Sequence, residues 1–524
     1  MSTLPLFAVI ADAHISRAPG IQDRFLEAAL TDAKSAGASF AVIAGDLVED
    51  GHHSSFTNAK AILSASGLPC YPAIGNKEVS QNSPQRYISN FGPTYYTVQQ
   101  SGYRLIVLGT TEFTIPQHKL RWLEEVLAQT APHDNTVLAT HHYLERFSEN
   151  DRGALTDICG RYGVRHIITA HRHRMETTQY GPVTEHMLQA VDPDKALGSP
   201  PGFTLCGIER GRLHTRFVPM SISADLVQRH LTGQLGFRPT RDRAFDASLV
   251  ELAERYGFRH VQLTISGDEH DTTVEQQARA ATDCGLQLVG HLPSPQFDIT
   301  GQWLNRTQMH KSIEFFAELL ARTAVHSSEA PAILHPPKLP ADVLCDRYGR
   351  LLTQRVCVQR VIEAYVAMAG WMQQGKMAVA LENNSSKKLR LTFGALPSHL
   401  TDLSGELRQR SFDIGYCFDI GHVKASVVQT QVAEWMAAIG DRLLALHLHS
   451  GDPHSHVTHD PVTELYSTTR WLGLAAWLAQ LQVVVPCVLE VPVSEGAAVS
   501  AQTLHRLTEP IPEAVYVDVE LAPG

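Results

Sequence analysis

A chain of 524 residues is too long for one ordinary core, so two or three domains of about 100–250 residues each are expected. Its formal net charge is -10, which disfavours nucleic acid as a bulk partner and leaves only a local basic patch open for one. The eight cysteines show no C-x-x-C spacing and several lie in apolar runs, as reduced core residues do, and no stretch approaches the ~18 continuous apolar residues of a membrane span. A cytoplasmic protein without a membrane partner is the expectation.

The opening MSTLPLFAVIADAH has no basic leader and reads as a first strand rather than a signal peptide. In VIADAHIS, Asp12 and His14 end an apolar run. Strand alternation points residues two apart to one face, so this pair is expected to converge on one point, as metal ligands do. Short β-rich runs then alternate with helical patterns: SFAVIAGD, CYPAIGN, YRLIVLGT, NTVLATHH and VRHIITAHRH. Each run ends in a polar, chelating or glycine-containing cluster, the pattern of α/β layering with a site off the carboxyl ends of the strands. Asp46 follows Gly45, Asn76 follows Gly75, His141 follows Thr140, and His171 and His173 form a second two-apart pair.

In this order D-x-H, GD, GN, H and H-x-H resemble the calcineurin-like metallophosphoesterase family, over residues 5–215. The resemblance implies a four-layer α/β sandwich with two divalent metals, Mn, Fe or Zn. Asp12, His14 and His173 would hold one, Asn76, His141 and His171 the other, and Asp46 would bridge them as a catalytic ligand. Paired cations polarise a phosphoryl oxygen, stabilise a leaving alkoxide and acidify a water, and mixed His, Asp and Asn ligands suit these metals better than Ca. The family pattern G-N-H-[ED], whose His protonates the leaving group or steadies the phosphate, reads GNKE here. Lys77 keeps a cation for phosphate, but a lysine at its usual pKa is a poor proton donor, which implies slow turnover, acidic leaving groups or a shifted mechanism. His142 and Arg172 sit beside ligand positions and are expected to contact ligands or substrate.

From about residue 217 the pattern changes, with VPMSISADLVQRHLTGQ as the boundary zone, so the domains are expected at 1–216 and 217–524. Strands are expected at HLTGQLGF, HVQLTIS, LQLVGHLP, PAILHPP, MAVALENN, IGYCFDIGH, LLALHLHS and VVPCVLEVP. Eight strand–helix units in about 300 residues have the size and rhythm of a (β/α)8 TIM barrel. His291, His335, Glu382, Asp419 with His422, His447 with His449, and Glu490 end the third to eighth strands, on the rim where such barrels build sites.

The order H, H, E, D-x-x-H, H, E resembles the xylose isomerase-like superfamily, which holds sugar isomerases and epimerases and the endonuclease IV type of nuclease. The resemblance implies a shared metal set of Glu382, Asp419, His447 and Glu490, with His422 beside it. In the isomerase reading one divalent metal (Mn, Mg, Co or Zn) chelates the sugar while Glu382 and Glu490 move a proton at carbon, His422 assisting. In the nuclease reading His291 and His335 bind a further zinc, and His422 and His459 a third, although Val457 stands where that third site needs an Asp. His454 and His456 are weaker candidates from the same loop.

The expectation is a bifunctional metalloenzyme: a phosphomonoesterase or phosphodiesterase acting on a small carbohydrate or cyclic phosphate, fused to a sugar or sugar-phosphate isomerase or epimerase. The alternatives are a two-domain nuclease and a phosphoesterase with a ligand-binding, non-catalytic barrel. The partner is a small phosphorylated or sugar-like substrate, with assembly into a homo-oligomer left open.

Overall fold

The computed structural model describes the chain apart from residues 1–4, 18–19, 81–83, 112, 130–134, 210, 221–223, 241–244, 267–271, 324–329, 387–390, 425, 427–431, 453–456, 466–470, 492 and 510–524. Two compact units are drawn from residues 1–222 with 466–473, and from 223–465 with 474–509. Among the described residues no helix is long and apolar enough to cross a membrane. All eight cysteines are unpaired, and Cys206, Cys417 and Cys487 are buried in strands.

In the first unit, strands β1 (Leu6–Ile10), β2 (Ala38–Ile43), β3 (Cys70–Pro72), β4 (Tyr95–Gln100), β5 (Tyr103–Leu108), β6 (Thr136–Ala139), β7 (His166–Thr169), β8 (Glu176–Tyr180), β9 (Val183–Met187), β10 (Gly202–Glu209) and β11 (Arg212–Pro219) form two sheets. One has the order β11-β10-β1-β2-β3 and the other β4-β5-β6-β7-β9-β8. Strand alternation sorts β5 onto two cores. Leu105 and Val107 pack between the sheets with Phe7, Val9, Val42 and Ile168, while Ile106 and Leu108 pack outward with Leu123 and Ile158 of two helices. Strands buried on both faces explain why the runs read as continuously apolar.

In the second unit β12 (Leu235–Phe237), β13 (His260–Thr264), β14 (Gln287–His291), β15 (Ala330–Leu334), β16 (Met377–Glu382), β17 (Ile414–Asp419) and β18 (Leu443–Leu448) run in parallel. After the hairpin of β19 (Ser450–Asp452) and β20 (Val457–Asp460), β21 (Cys487–Leu489) closes the barrel between β18 and β12. Val289, Ile333, Ala380, Cys417, Ala445 and Val488 fill its interior, so it is a packed core and not a pore. The local signals of the coat are ordinary. The Ala247–Tyr256 helix starts where the Asp246 carboxylate accepts from the N–H groups of Ser248 (3.0 Å) and Leu249 (3.2 Å), buries Leu249, Leu252 and Ala253, and stops at Gly257.

Candidate metal centres

In the first unit the candidate residues follow the carboxyl ends of β1, β2 and β3 of one sheet and β6 and β7 of the other. Asp12 and His14 converge, but not by strand alternation as their spacing suggests. β1 ends at Ile10, and both residues have a left-handed backbone, φ 52° each. Asp46 (φ 44°), His171 (φ 75°) and His173 (φ 57°) share this conformation. Each such residue costs on the order of 1 kcal/mol or more, and strain of this kind persists where surrounding structure over-determines it. Main-chain bonds do so here: Asp12 N–H donates to the Gly45 carbonyl (3.2 Å) and His14 N–H to that of Asp46 (3.0 Å).

His141 organises one group. Its Nδ1 lies 2.9 Å from the Ala44 carbonyl, to which it donates, so Nε2 turns inward. Around Nε2 stand Asn76 Oδ1 (3.2 Å), His171 Nδ1 (3.2 Å) and Asp46 Oδ1 (3.3 Å). A proton satisfies one or two of these atoms. A cation satisfies all four, since ligands about 2.1 Å from a tetrahedral metal stand about 3.4 Å apart. Burial pushes His141 down, but the carboxylates of Asp46 and Asp12 prevail and raise it to about 10, a measure of how strongly this spot attracts positive charge. Gly45, at φ 85°, is required by this packing: a Cβ there would lie 2.5 Å from His141 Nδ1.

Asp12, His14 and His173 form the second group, with ligand atoms within 4.8 Å of one another. Asp12 Oδ1 and His14 Nε2 are buried with no hydrogen-bond partner, the state expected of atoms meant for an ion. Burial holds His14, His171 and His173 below the usual histidine range and so in the neutral form that binds metals. Asp46 stands between the groups electrostatically, since its charge acts on both His141 of the first and His14 of the second.

Several supporting residues lie outside the strand-end motifs or play no part in reading them. Glu78, the last residue of GNKE, accepts from Val48 N–H (3.1 Å) and Gly75 N–H (2.7 Å) and so ties together the loops carrying Asp46 and Asn76. Glu49 Oε2 lies 2.9 Å from His14 Nδ1, and the same carboxylate meets Lys77 Nζ (3.1 Å) and Lys195 Nζ (3.3 Å). His142 is buried, with Nδ1 3.1 Å from Thr110 Oγ1. Burial beside His141 and His171 pushes it down to about 3. Arg172 faces away from the ligands, between Glu145 (3.6 Å) and Glu176 (3.5 Å) with its guanidinium over the Tyr143 ring.

The rim of the barrel carries three adjoining groups. His291 and His335 place Nε2 3.4 Å and 3.5 Å from Glu382 Oε2, a buried oxygen with no hydrogen-bond partner. Around His447 Nδ1 stand Glu382 Oε1 (3.0 Å), Glu490 Oε2 (3.3 Å) and Asp419 Oδ2 (3.6 Å). Its Nε2 lies 2.7 Å from Gln262 Oε1, to which it donates, and the Gln262 amide donates to Glu490 at 3.2 Å. Gln262 therefore fixes which ring nitrogen faces the carboxylates, a role that sequence spacing does not reveal. Asp419, His422, His449 and His459 make the third group. His449 Nε2 is 2.9 Å from Asp419 Oδ1, and the His449 and His459 rings stack at 4.6 Å. A Cβ at Gly421 would overlap the His449 ring, so the D-I-G-H turn needs its glycine. His422 donates Nδ1–H to the Asn383 carbonyl at 2.9 Å. His454 and His456 lie outside the described residues.

Burial pushes Glu382 and Glu490 up, but the imidazoles around both, and Arg238 at 2.5 Å from Glu490 Oε1, hold them below the carboxylate range. Burial sends His335 down to about 4. Anionic carboxylates and a neutral imidazole are what a divalent cation needs of its ligands.

Residues 5–175 match the family described as calcineurin-like phosphoesterase, and residues 250–509 match the xylose isomerase-like TIM barrel family. No curated protein matches the chain at a significant level. Among solved structures, a dimetal phosphatase from Danio rerio is 14% identical over 41% of this chain and 96% of its own, with a TM-score of 0.35. A D-tagatose 3-epimerase-like protein is 16% identical over 52% of this chain and 96% of its own, at 0.38. A D-allulose 3-epimerase from Methylomonas sp. is 14% identical over 53% and 98%, also at 0.38. The chain thus joins a region that matches the calcineurin-like phosphoesterase family to a region that matches the xylose isomerase-like TIM barrel family.

Proposed function

We propose that the N-terminal domain hydrolyses small phosphate esters with the help of two divalent cations, and that the barrel is a second metal-dependent site of hydrolytic rather than isomerising chemistry. The first reading is carried by the convergence of Asp46 Oδ1, Asn76 Oδ1 and His171 Nδ1 on His141 Nε2. Cations held there and by Asp12, His14 and His173 would supply positive charge to a phosphoryl oxygen and acidity to a water. The chain's own part is orientation. Ala44 fixes the His141 tautomer, the Lys77 N–H holds the Asp46 carboxylate, and Glu78 braces both loops. The test is Asp46→Ala in Mn-saturated protein with an aryl phosphate and an aryl phosphodiester. A fall of at least about a hundredfold, with the barrel still folded by circular dichroism, is expected. Unchanged hydrolysis would sink the reading.

For the barrel, a specific observation favours hydrolysis over the isomerase expected from the resemblance. Isomerisation needs a carboxylate free to accept a proton from carbon, with a pKa raised towards neutrality. Glu382 is engaged by His291, His335 and His447, and Glu490 by Arg238, Gln262 and His459, all of which lower their basicity. Three ligand groups sharing Glu382 and Asp419 suit several cations around a phosphate ester better than one cation on a sugar. His291→Ala should then remove bound zinc and barrel-dependent phosphodiester hydrolysis together. Exchange of C–H protons of keto sugars with deuterated solvent by the wild-type protein would restore the isomerase.

A further inference from the structure

We infer that Lys195, with Lys77, is a phosphate-binding residue that makes the N-terminal site select phosphate monoesters over diesters. The inference rests on the phosphoesterase reading above and narrows its substrate class. Lys195 belongs to none of the strand-end motifs, yet the turn that carries it is tied to two candidate ligands. At one end Asp192 N–H donates to the Asp12 carbonyl (3.3 Å), and at the other Leu197 N–H donates to the His173 carbonyl (2.8 Å). Within the turn Asp194 N–H donates to Asp192 Oδ1 (2.9 Å) and Lys195 N–H to the Asp192 carbonyl (3.1 Å). The ammonium is therefore delivered to the rim of the Asp12–His14–His173 group by a short, internally bonded segment.

There it meets Lys77 across one carboxylate. Glu49 Oε1 lies 3.1 Å from Lys77 Nζ and 3.4 Å from Lys195 Nζ, and Glu49 Oε2 lies 2.9 Å from His14 Nδ1. The two ammonium groups share the Glu49 carboxylate, and Asp192 and Asp194 also act on Lys195. The position of the ammonium groups is what matters: the ligands Asp12, His14 and Asp46 are at most 2% exposed, whereas the side chains of Lys195, Glu49 and Lys77 are 19%, 23% and 30% exposed. Both ammonium groups are thus partly open to solvent, as the candidate ligand His173 is at 21%, beside the buried Asp12 and His14, where they can meet the non-bridging oxygens of an arriving phosphate. A monoester carries close to two negative charges at neutral pH and a diester one. Ammonium pairs act as point charges without a preference for shape, so they discriminate by that charge.

The experiment compares wild-type protein with Lys195→Met, which keeps the length of the stem and removes the charge, and Lys195→Arg, which restores it. Inorganic phosphate binding to Mn-loaded protein is measured by calorimetry, metal content by elemental analysis, and KM with an aryl phosphate and an aryl phosphodiester. The expected result for Lys195→Met is at least about tenfold weaker phosphate binding and at least about tenfold higher KM for the monoester. The diester KM should change by less than about threefold, with metal content unchanged, and Lys195→Arg should recover most of the loss. Equal effects on both esters, unchanged phosphate affinity, or loss of metal in Lys195→Met would each overturn the inference. Calorimetry measures phosphate binding whether or not turnover is seen, so a wild-type protein that binds phosphate through Lys195 yet hydrolyses neither ester would refute the phosphoesterase reading alone.

Discussion

The main-chain N–H of Lys77 donates to Oδ1 of Asp46 at 2.9 Å, the same oxygen that lies 3.3 Å from His141 Nε2. Position 77 thus holds the central carboxylate through its backbone, whatever side chain it carries. Replacing Lys77 by His should leave Asp46 in place and change only what the side chain offers, a proton donor in place of a point charge. Lys77→His is expected to accelerate hydrolysis of alkyl phosphates, which leave badly, by about tenfold or more, and that of nitrophenyl esters by much less. Equal acceleration of both substrates would mean that the leaving group needs no proton from this position.

Gly45 makes a second prediction. Because a Cβ would press against His141 and the backbone there is left-handed, Gly45→Ala should displace the imidazole from Asp46, Asn76 and His171. Elemental analysis after dialysis against limiting Mn should then find one cation fewer in the N-terminal domain. A full complement of metal in a folded Gly45→Ala protein would show that His141 is dispensable for binding.

In the barrel, Gln262 supports His447 without being among its candidate metal ligands. Gln262→Leu should remove the acceptor that fixes the ring and weaken barrel metal affinity about 10–100-fold, as loss of an outer hydrogen bond to a ligating histidine does. Competition with a chromophoric chelator measures this, and the N-terminal cations serve as internal control. An unaltered barrel affinity would place the determinant of the tautomer elsewhere.

The pair His166 and His186 predicts a pH dependence away from either centre. His166 Nδ1 lies 3.3 Å from His186 Nε2, and both rings are buried. Burial, with His166 nearby, holds His186 at about 4, against about 6.5 in an unfolded chain. A histidine depressed on folding contributes its full stability above pH 6.5, and this is lost as pH falls through the window from 6.5 to 4, about 3–4 kcal/mol for this shift. His186→Gln keeps a hydrogen-bonding partner for His166 and should flatten the fall of melting temperature across that window. An unchanged slope would assign acid sensitivity to other groups.

The third to eighth barrel strands were legible because each apolar run ends in its chemical residue, as with Ala330–Leu334 before His335 and Cys487–Leu489 before Glu490, and the first two were legible from the rhythm of the repeat. Asp12 and His14 were legible as a convergent pair but for the wrong reason, since spacing of two does not distinguish strand alternation from two left-handed residues. Glu49, Lys195 and Gln262 left no signal. They act through side chains brought in from a loop, a turn and a strand that is not the partner's neighbour in the barrel, and nothing local in their sequence marks a partner so far along the chain. His449 was visible at the end of its strand, yet only the fold shows its contact with Asp419.

The left-handed backbone at residues 12, 14, 46, 171 and 173 has a consequence for anyone wishing to rebuild this centre. Asp, Asn and His tolerate that conformation better than most residues, and β-branched side chains hardly at all. The vocabulary available for redesign is therefore narrow before any chemistry is considered. Threonine or valine introduced to shrink a ligand would meet resistance from the main chain, whereas exchanges among Asp, Asn, His and Gly would change the donor atom and leave the loop as it is. A library built on those four residues at the five positions would sample altered metal preference with little loss of folded protein.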